Sequence, residues 1–196
     1  MTDHTSDADL LARARSGDDR AFAAIVERYE GAVAATVIGM LGVGDDADDI
    51  GQETFIRFYR SLDHFRGDSS LKTYLVHIAM NLSLNALRRR RRSVLRFISR
   101  DETPIESEEP SVGPDGHVDA EELRLFVRHA VSKLNEKHRA VVVLRMFDDC
   151  STRDTATILG VPEGTVLSRL SRAMKELEAR LAPYVVSGAA LPETIR

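Results

Sequence analysis

The stretch "ILGVPEGTVLSRLSRAMKEL", Ile158 to Leu177, sets a Gly-Val-Pro break between two segments of helical pattern. Glycine suits the left-handed residue that closes a helix, and proline is favoured in the first turn of the next one. Just upstream, "STRD" from Ser151 fits a capping box. The reading is therefore a short helix from Ser151 to Gly160, a sharp turn, and a last helix beginning at or near Pro162. Helix, glycine-containing turn, helix is the pattern whose second member enters the DNA major groove. At about 100° per residue, Val166, Leu170, Ala173, Leu177 and Leu181 fall on one side of that last helix. Gly164, Thr165, Ser168, Ser171, Arg172 and Lys175 cluster on the other. Small hydroxyls allow close approach to base edges, and an arginine can donate two hydrogen bonds to a guanine. An ordinary amphipathic surface helix would show the same two faces; the Gly-Val-Pro turn is what favours DNA.

Working outward, the same block supplies a helix from about Asp119 to Leu134 and another from Glu136 to Phe147. Local charge then marks a boundary. Arg88 to Arg100 holds seven arginines and no acid, whereas Asp101 to Glu122 holds nine acids and no Lys or Arg. The acidic segment also carries three of the six prolines and has no apolar periodicity, so it reads as a flexible linker. The chain divides into an N-terminal domain (1–100), a linker (101–118), a C-terminal domain (119–183) and a short tail (184–196).

The N-terminal block is also helical. Leu10, Leu11 and Ala14 mark a short helix ending at Gly17, and Asp18 or Asp19 can cap a second one carrying Phe22, Ile25, Val26, Tyr29, Val33, Val37 and Leu41. After "GVGDDADDI", Asp45 and Asp46 start a third helix with Ile50, Phe55, Phe58 and Leu62. "FRGDSS" is a loop, and a fourth helix runs from about Leu71 to Arg92. On its wheel, Tyr74, His77, Asn81, Asn85 and Arg88 form one polar strip, flanked by Met80, Leu84 and Leu87 on one edge. A ring, an imidazole, two amides and an arginine in line suit unpaired bases, which offer a π-face and a Watson–Crick edge together. Polar residues satisfying one another inside a bundle, with a solvated arginine end, would give the same strip. No strand pattern and no internal repeat occurs, so the expected class is all-α: two small helical domains on a flexible tether.

Composition narrows the function. A net charge of −4 argues against gripping nucleic acid by charge over the whole surface. The single cysteine, Cys150, rules out an internal disulfide framework, suits a reducing cytoplasm and is expected to be a small buried hydrophobe. Asp3, Asp7 and Asp9 stand where a secretory leader would be basic. The most apolar run, 32–44, is too short to span a bilayer, so a cytoplasmic protein is expected. Aspartates at 45, 46, 48 and 49 with Glu53 could be taken for nuclease metal ligands, but aspartates at a helix start more often act as caps and dipole partners; no catalysis, metal or cofactor is expected.

Two long stretches resemble one family. "DDADDIGQETFIRFYRSLDHFRGDSSLKTYLVHIAMNLSLNALRRRRR" is similar to region two, and "LNEKHRAVVVLRMFDDCSTRDTATILGVPEGTVLSRLSRAMKEL" to region four, of the extracytoplasmic-function sigma factors of bacterial RNA polymerase. They stand in the family's order with a connector between them. The resemblance implies a factor that binds core polymerase, at its β′ clamp and β flap, and directs it to promoter DNA; an anti-sigma factor is implied as a further partner. It implies that Asp49, Gln52 and Glu53 dock on the clamp, that the loop Phe65, Arg66, Gly67, Asp68, Ser69 and Ser70 with Tyr74 and Asn81 captures a flipped base of the −10 element, and that Ser168, Ser171 and Arg172 read the −35 element. His77, Asn85 and Arg88 extend the first surface on the wheel; Thr165, Leu167 and Lys175 extend the second. Two positions depart from the family pattern. Leu167 stands where a basic residue is usual and could meet a thymine methyl, and Gly51 stands where an aliphatic residue is usual. The connector's carboxylates could occupy a basic channel of the polymerase or merely act as a spacer. The alternative to a sigma factor is a self-sufficient helix-turn-helix regulator, which would leave the Tyr-His-Asn strip and "DDIGQETF" unused.

Overall fold

A computed structural model describes residues 5–98 and 120–185. The chain order is α1 (Asp7–Arg15), α2 (Asp19–Leu41), α3 (Asp45–Arg60), a 3-10 turn (Leu62–His64), α4 (Leu71–Ile98), α5 (Ala120–Ser132), α6 (Glu136–Val142), a π-helical turn (Val143–Phe147), α7 (Thr152–Leu159) and α8 (Glu163–Val185). There is no strand among the described residues. The linker expected at 101–118 and the tail at 184–196 fall almost wholly outside the described residues.

Local chemistry sets most helix ends. Asp18 caps α2 by accepting from the backbone N–H groups of Arg20 and Ala21 at 3.0 and 3.2 Å, and Ser151 caps α7 by accepting from Asp154 N at 3.0 Å. Gly160 closes α7 at φ 62°, ψ 40°, a left-handed geometry that favours glycine. Two boundaries differ from expectation. α4 continues through Ile98, six residues past Arg92, because arginine is a good helix former and a cation at a helix C-terminus meets the negative end of the dipole. The helix expected over Glu136–Phe147 becomes π-helical at Val143, where Asp148 N reaches back five residues to Val143 O at 3.1 Å.

The N-terminal helices bury Leu10, Leu11, Ile25, Val33, Val37, Phe58, Leu71 and Leu75 in one core. A second core comes from α5–α8: Val131, Leu134, Val142, Leu144, Ile158, Ala173, Leu177 and Leu181. Periodicity suggests two separate cores, yet the second is completed by Met40 of α2 and by Val76 and Met80 of α4, all fully buried. Burying such side chains stabilises by about 1.5–3 kcal/mol each. The two domains therefore pack directly on one another. No described helix is long and apolar enough to cross a membrane.

Candidate nucleic-acid interface

The turn after α7 orients α8 by burying one side of it. Val166 and Ala173 have no exposure, and Leu177 and Leu181 very little. Thr165 and Val166 donate backbone hydrogen bonds to Pro162 O at 2.9 and 3.2 Å, which fixes the first turn. The outward row is then Gly164, Leu167, Ser168, Ser171, Arg172 and Lys175, all exposed; Thr165 is half-buried. Leu167 is 55% exposed, an apolar group standing among hydroxyls and cations. Ser168 donates back to Thr165 O at 3.1 Å, which keeps its side chain low on the helix. Such a convex face has the width and chemistry to enter a major groove.

The surface on α4 is built differently. Tyr74 is wedged among aromatic neighbours, its ring 4.9 Å from Phe65 and 6.1 Å from Phe58, and its hydroxyl donates to Ser61 Oγ at 3.2 Å. His77 is half-buried, and burial lowers its pKa by disfavouring the charged imidazole. Asn81 is exposed; Asn85 is exposed and accepts from Arg88 Nη1 at 3.2 Å. In the preceding loop Arg66, Gly67, Asp68 and Ser70 are exposed and Phe65 and Ser69 half-buried. Gly67 takes φ 78°, and Ser70 accepts from Thr73 N at 3.1 Å at the start of α4. Arg15 ties the loop to α1 by donating to Leu62 O at 3.0 Å and to Phe65 O.

The arginine run does not act as a unit, because successive residues face different sides of the helix. Arg92 leans on Arg88 O at 3.3 Å. Arg89 and Arg90 turn towards α3, where Arg90 Nε donates to Asp46 Oδ2 at 2.7 Å. Arg91 lines a cleft of about 780 Å³ with Arg169 and Arg172 of α8 and residues of α6.

On α3, Asp49, Gln52 and Glu53 share one face, and they line a groove of about 520 Å³ with Leu82, Ala86, Arg89 and Arg90. Glu53 also accepts from Arg57 Nε at 2.8 Å. The same face carries Ile56, 44% exposed. Sequence reasoning passes over Ile56 although it lies seven residues, about two turns, beyond Asp49, a spacing that marks a shared helix face. An exposed isoleucine between acids and an amide is what a docking face against another protein would use. Arg169, half-buried beside Arg172, is a second residue that the wheel leaves unassigned.

Comparison with known proteins matches the two surfaces separately. Residues 25–93 fit the model for sigma-70 region 2, and residues 127–177 fit that for sigma-70 region 4. The chain belongs to the sigma-70 family. This sigma factor is 36% identical over 193 residues to the ECF RNA polymerase sigma-E factor of Escherichia coli, covering 94% of this chain and 99% of that protein. It is 32% identical over 190 residues to the RNA polymerase sigma-H factor of Pseudomonas aeruginosa, covering 94% and 98%. Among solved structures it resembles the sigma factor RpoE in complex with the anti-sigma factor NepR from Bartonella quintana, with a TM-score of 0.67, 27% identity and coverage of 82% and 96%. It also resembles CnrH in complex with the cytosolic domain of CnrY, with a TM-score of 0.64, 28% identity and coverage of 89% and 96%. As a member of this family the chain serves promoter-directed transcription initiation with RNA polymerase.

Proposed function

We propose a division of labour among three faces of this sigma factor. Asp49, Gln52, Glu53 and Ile56 on α3 dock on the polymerase clamp. The loop 65–70 with Tyr74, His77, Asn81, Asn85 and Arg88 takes the unpaired strand of the −10 element. Thr165, Leu167, Ser168, Ser171, Arg172 and Lys175 read the duplex of the −35 element. The carrying observation is the chemical contrast of the two nucleic-acid faces: aromatic, imidazole and amide groups set into a helix bundle on α4, and small hydroxyls with cations on the convex side of α8. Unpaired bases need stacking and edge contacts, whereas a major groove needs protruding donors. A regulator acting on duplex DNA alone would not need the first set.

The acidic total charge fits this reading. Phosphate attraction alone gives such a chain little grip, so promoter affinity arises once polymerase makes the second contact intramolecular. An anti-sigma partner, as in the complexes of the two related structures, belongs to the same reading. Run-off transcription with core polymerase on a promoter library tests it: a defined start site should depend on the chain, and Asn81→Ala should impair opening while leaving −35 duplex binding intact. Equal loss of both on Asn81→Ala, or no initiation with any core polymerase, would refute it.

A further inference from the structure

The loop 65–70 takes its shape from its two ends. Among the described residues no backbone N–H or C=O of positions 66–69 makes a hydrogen bond, and a segment without bonds of its own is ordered only by what anchors it. Ser70 fixes the far end. Its Oγ accepts from Thr73 N at 3.1 Å and lies 2.9 Å from Thr73 Oγ1, and its carbonyl accepts from Tyr74 N at 3.0 Å. The near end depends on Arg15 of α1, whose Nε donates to Leu62 O at 3.0 Å and whose Nη2 donates to Phe65 O. The turn's own bond, from Phe65 N to Leu62 O, is long at 3.4 Å. Phe65 O has no other donor among the described residues.

A cation in the last turn of a helix needs no purpose beyond the helix dipole. Arg15, however, sends both donors 47 and 50 positions along the chain instead of to the carbonyls of α1. Those ends are met locally, by Ser16 N on Ala12 O and Arg13 O at 3.2 and 3.0 Å and by Gly17 N on Ala14 O at 3.1 Å. A planar guanidinium can hold two carbonyls in a fixed relation, which a single ammonium does not do. The base of the tie is rigid. Leu10, Leu11 and Ala14 of α1 are buried, and Arg28 of α2 donates to Asp7 Oδ1 at 2.6 Å and to Thr5 O at 2.8 Å.

What the tie places is Phe65. Its ring lies 4.9 Å from that of Tyr74, whose hydroxyl is held by Ser61 Oγ at 3.2 Å. Arg15 thereby fixes the backbone beside the ring pair from which the strip of α4 continues. A site built from an exposed loop binds a base well when its shape exists before the base arrives, because ordering it on binding subtracts from affinity.

We propose that Arg15 is a positioning residue for capture of the unpaired base: it sets how strongly the loop discriminates that base, through Leu62 and Phe65 and without touching nucleic acid. The inference rests on the −10 reading proposed above.

The test uses the full chain with core polymerase. Its probe is the single-stranded −10 segment of a promoter found by run-off transcription, intact or made abasic at one position at a time. With the unaltered chain, one abasic position should weaken binding most. Arg15→Ala should shrink that ratio of affinities by about tenfold, the size of one charge-assisted hydrogen bond. Affinity for the abasic strand and for the −35 duplex should stay unchanged, whereas a merely structural role would lower every affinity together. Arg15→Lys keeps the charge but cannot span both carbonyls, so it should lose about threefold, as when half of that free energy survives. Full discrimination in Arg15→Ala, or an equal loss on intact and abasic strands, overturns the proposal. If Arg15→Ala does not fold, Arg15→Lys decides, and discrimination equal to that of the unaltered chain overturns it. Should the unaltered chain bind every abasic strand as tightly as the intact one, the base-capture reading falls and this proposal with it; a sensitive unaltered chain matched by Arg15→Ala removes the role of Arg15 alone.

Discussion

The two faces proposed to bind nucleic acid in this sigma factor differ in how much of their own geometry they carry. On α8 the side chains proposed to read DNA project from a helix whose other side is buried, and their positions follow from helical periodicity alone. On α4 the strip is partly interior: Tyr74 rests on Phe58 and Phe65, and His77 is half-buried. A groove-reading helix needs reach, so its side chains stay free. A surface that holds an unstacked base needs a fixed ring and fixed edges, and only packing can supply those. The difference makes the α8 face mutable one residue at a time, and the α4 face sensitive to residues that never touch DNA.

Phe58→Ala should give the largest effect and is the sharpest test of that contrast. Phe58 is fully buried, so its truncation should cost about 3–5 kcal/mol in denaturant unfolding and free the Tyr74 ring. Promoter opening should fall more than −35 duplex affinity; an equal fall in both would remove the contrast.

Acidity should act on the contact between the domains rather than on either face. Burial pushes the Asp148 carboxyl up to about 7, against 3.8 when free, with Thr36 and Lys72 opposing and Asp149 adding to the rise. The folded chain therefore holds a proton that the unfolded chain releases. Its stabilisation is full below 3.8 and is lost as pH rises through about 7. Between those values this group should raise the folded-to-unfolded ratio by about tenfold for each unit of acidification, read by denaturant unfolding. His77 pulls the other way, since burial disfavours its charged form. Asp148→Asn isolates the carboxyl: the slope from this group should vanish, and the stability found at acid pH should persist at pH 8.

Arg172→Ala should cost about 1–3 kcal/mol in −35 discrimination with little change in thermal stability, because Arg172 is exposed and makes no side-chain hydrogen bond to the other described residues. A comparable loss of thermal midpoint would mean that α8, too, depends on its outer row. Smallest of all, Gly51→Ala should stabilise the chain by about 1 kcal/mol, since a Cβ there meets nothing within 4 Å. A loss of core-polymerase affinity with that substitution would show that the clamp itself comes close to Gly51.

Much of the molecule is legible from local pattern. Asp18, Ser151 and Gly160 announce helix ends because capping is decided within four residues, and the buried row of α8 follows from a repeat in one segment. The same locality explains what stays hidden. "DDC", Asp148 to Cys150, lies between two expected helices and carries no local signal of a distant partner, yet Asp148 is bonded to Thr36 across 112 positions of chain. Gly39 within "VIGM" looks like a weak spot in a helix until Val143 and Phe147 are seen lying against it. Cys150 is buried as expected, and burial raises its thiol to about 11.

The sequence by itself determined the helices, their caps, the turn before α8 and the outward row of polar side chains on it, since each depends on periodicity and on chemistry between near neighbours. Only the tertiary structure decided that Met40, Val76 and Met80 complete the other domain's core and that a carboxyl at position 148 sits between α2 and α4. Contacts between distant segments follow from how whole surfaces fit, and no repeat within one segment records the shape of another.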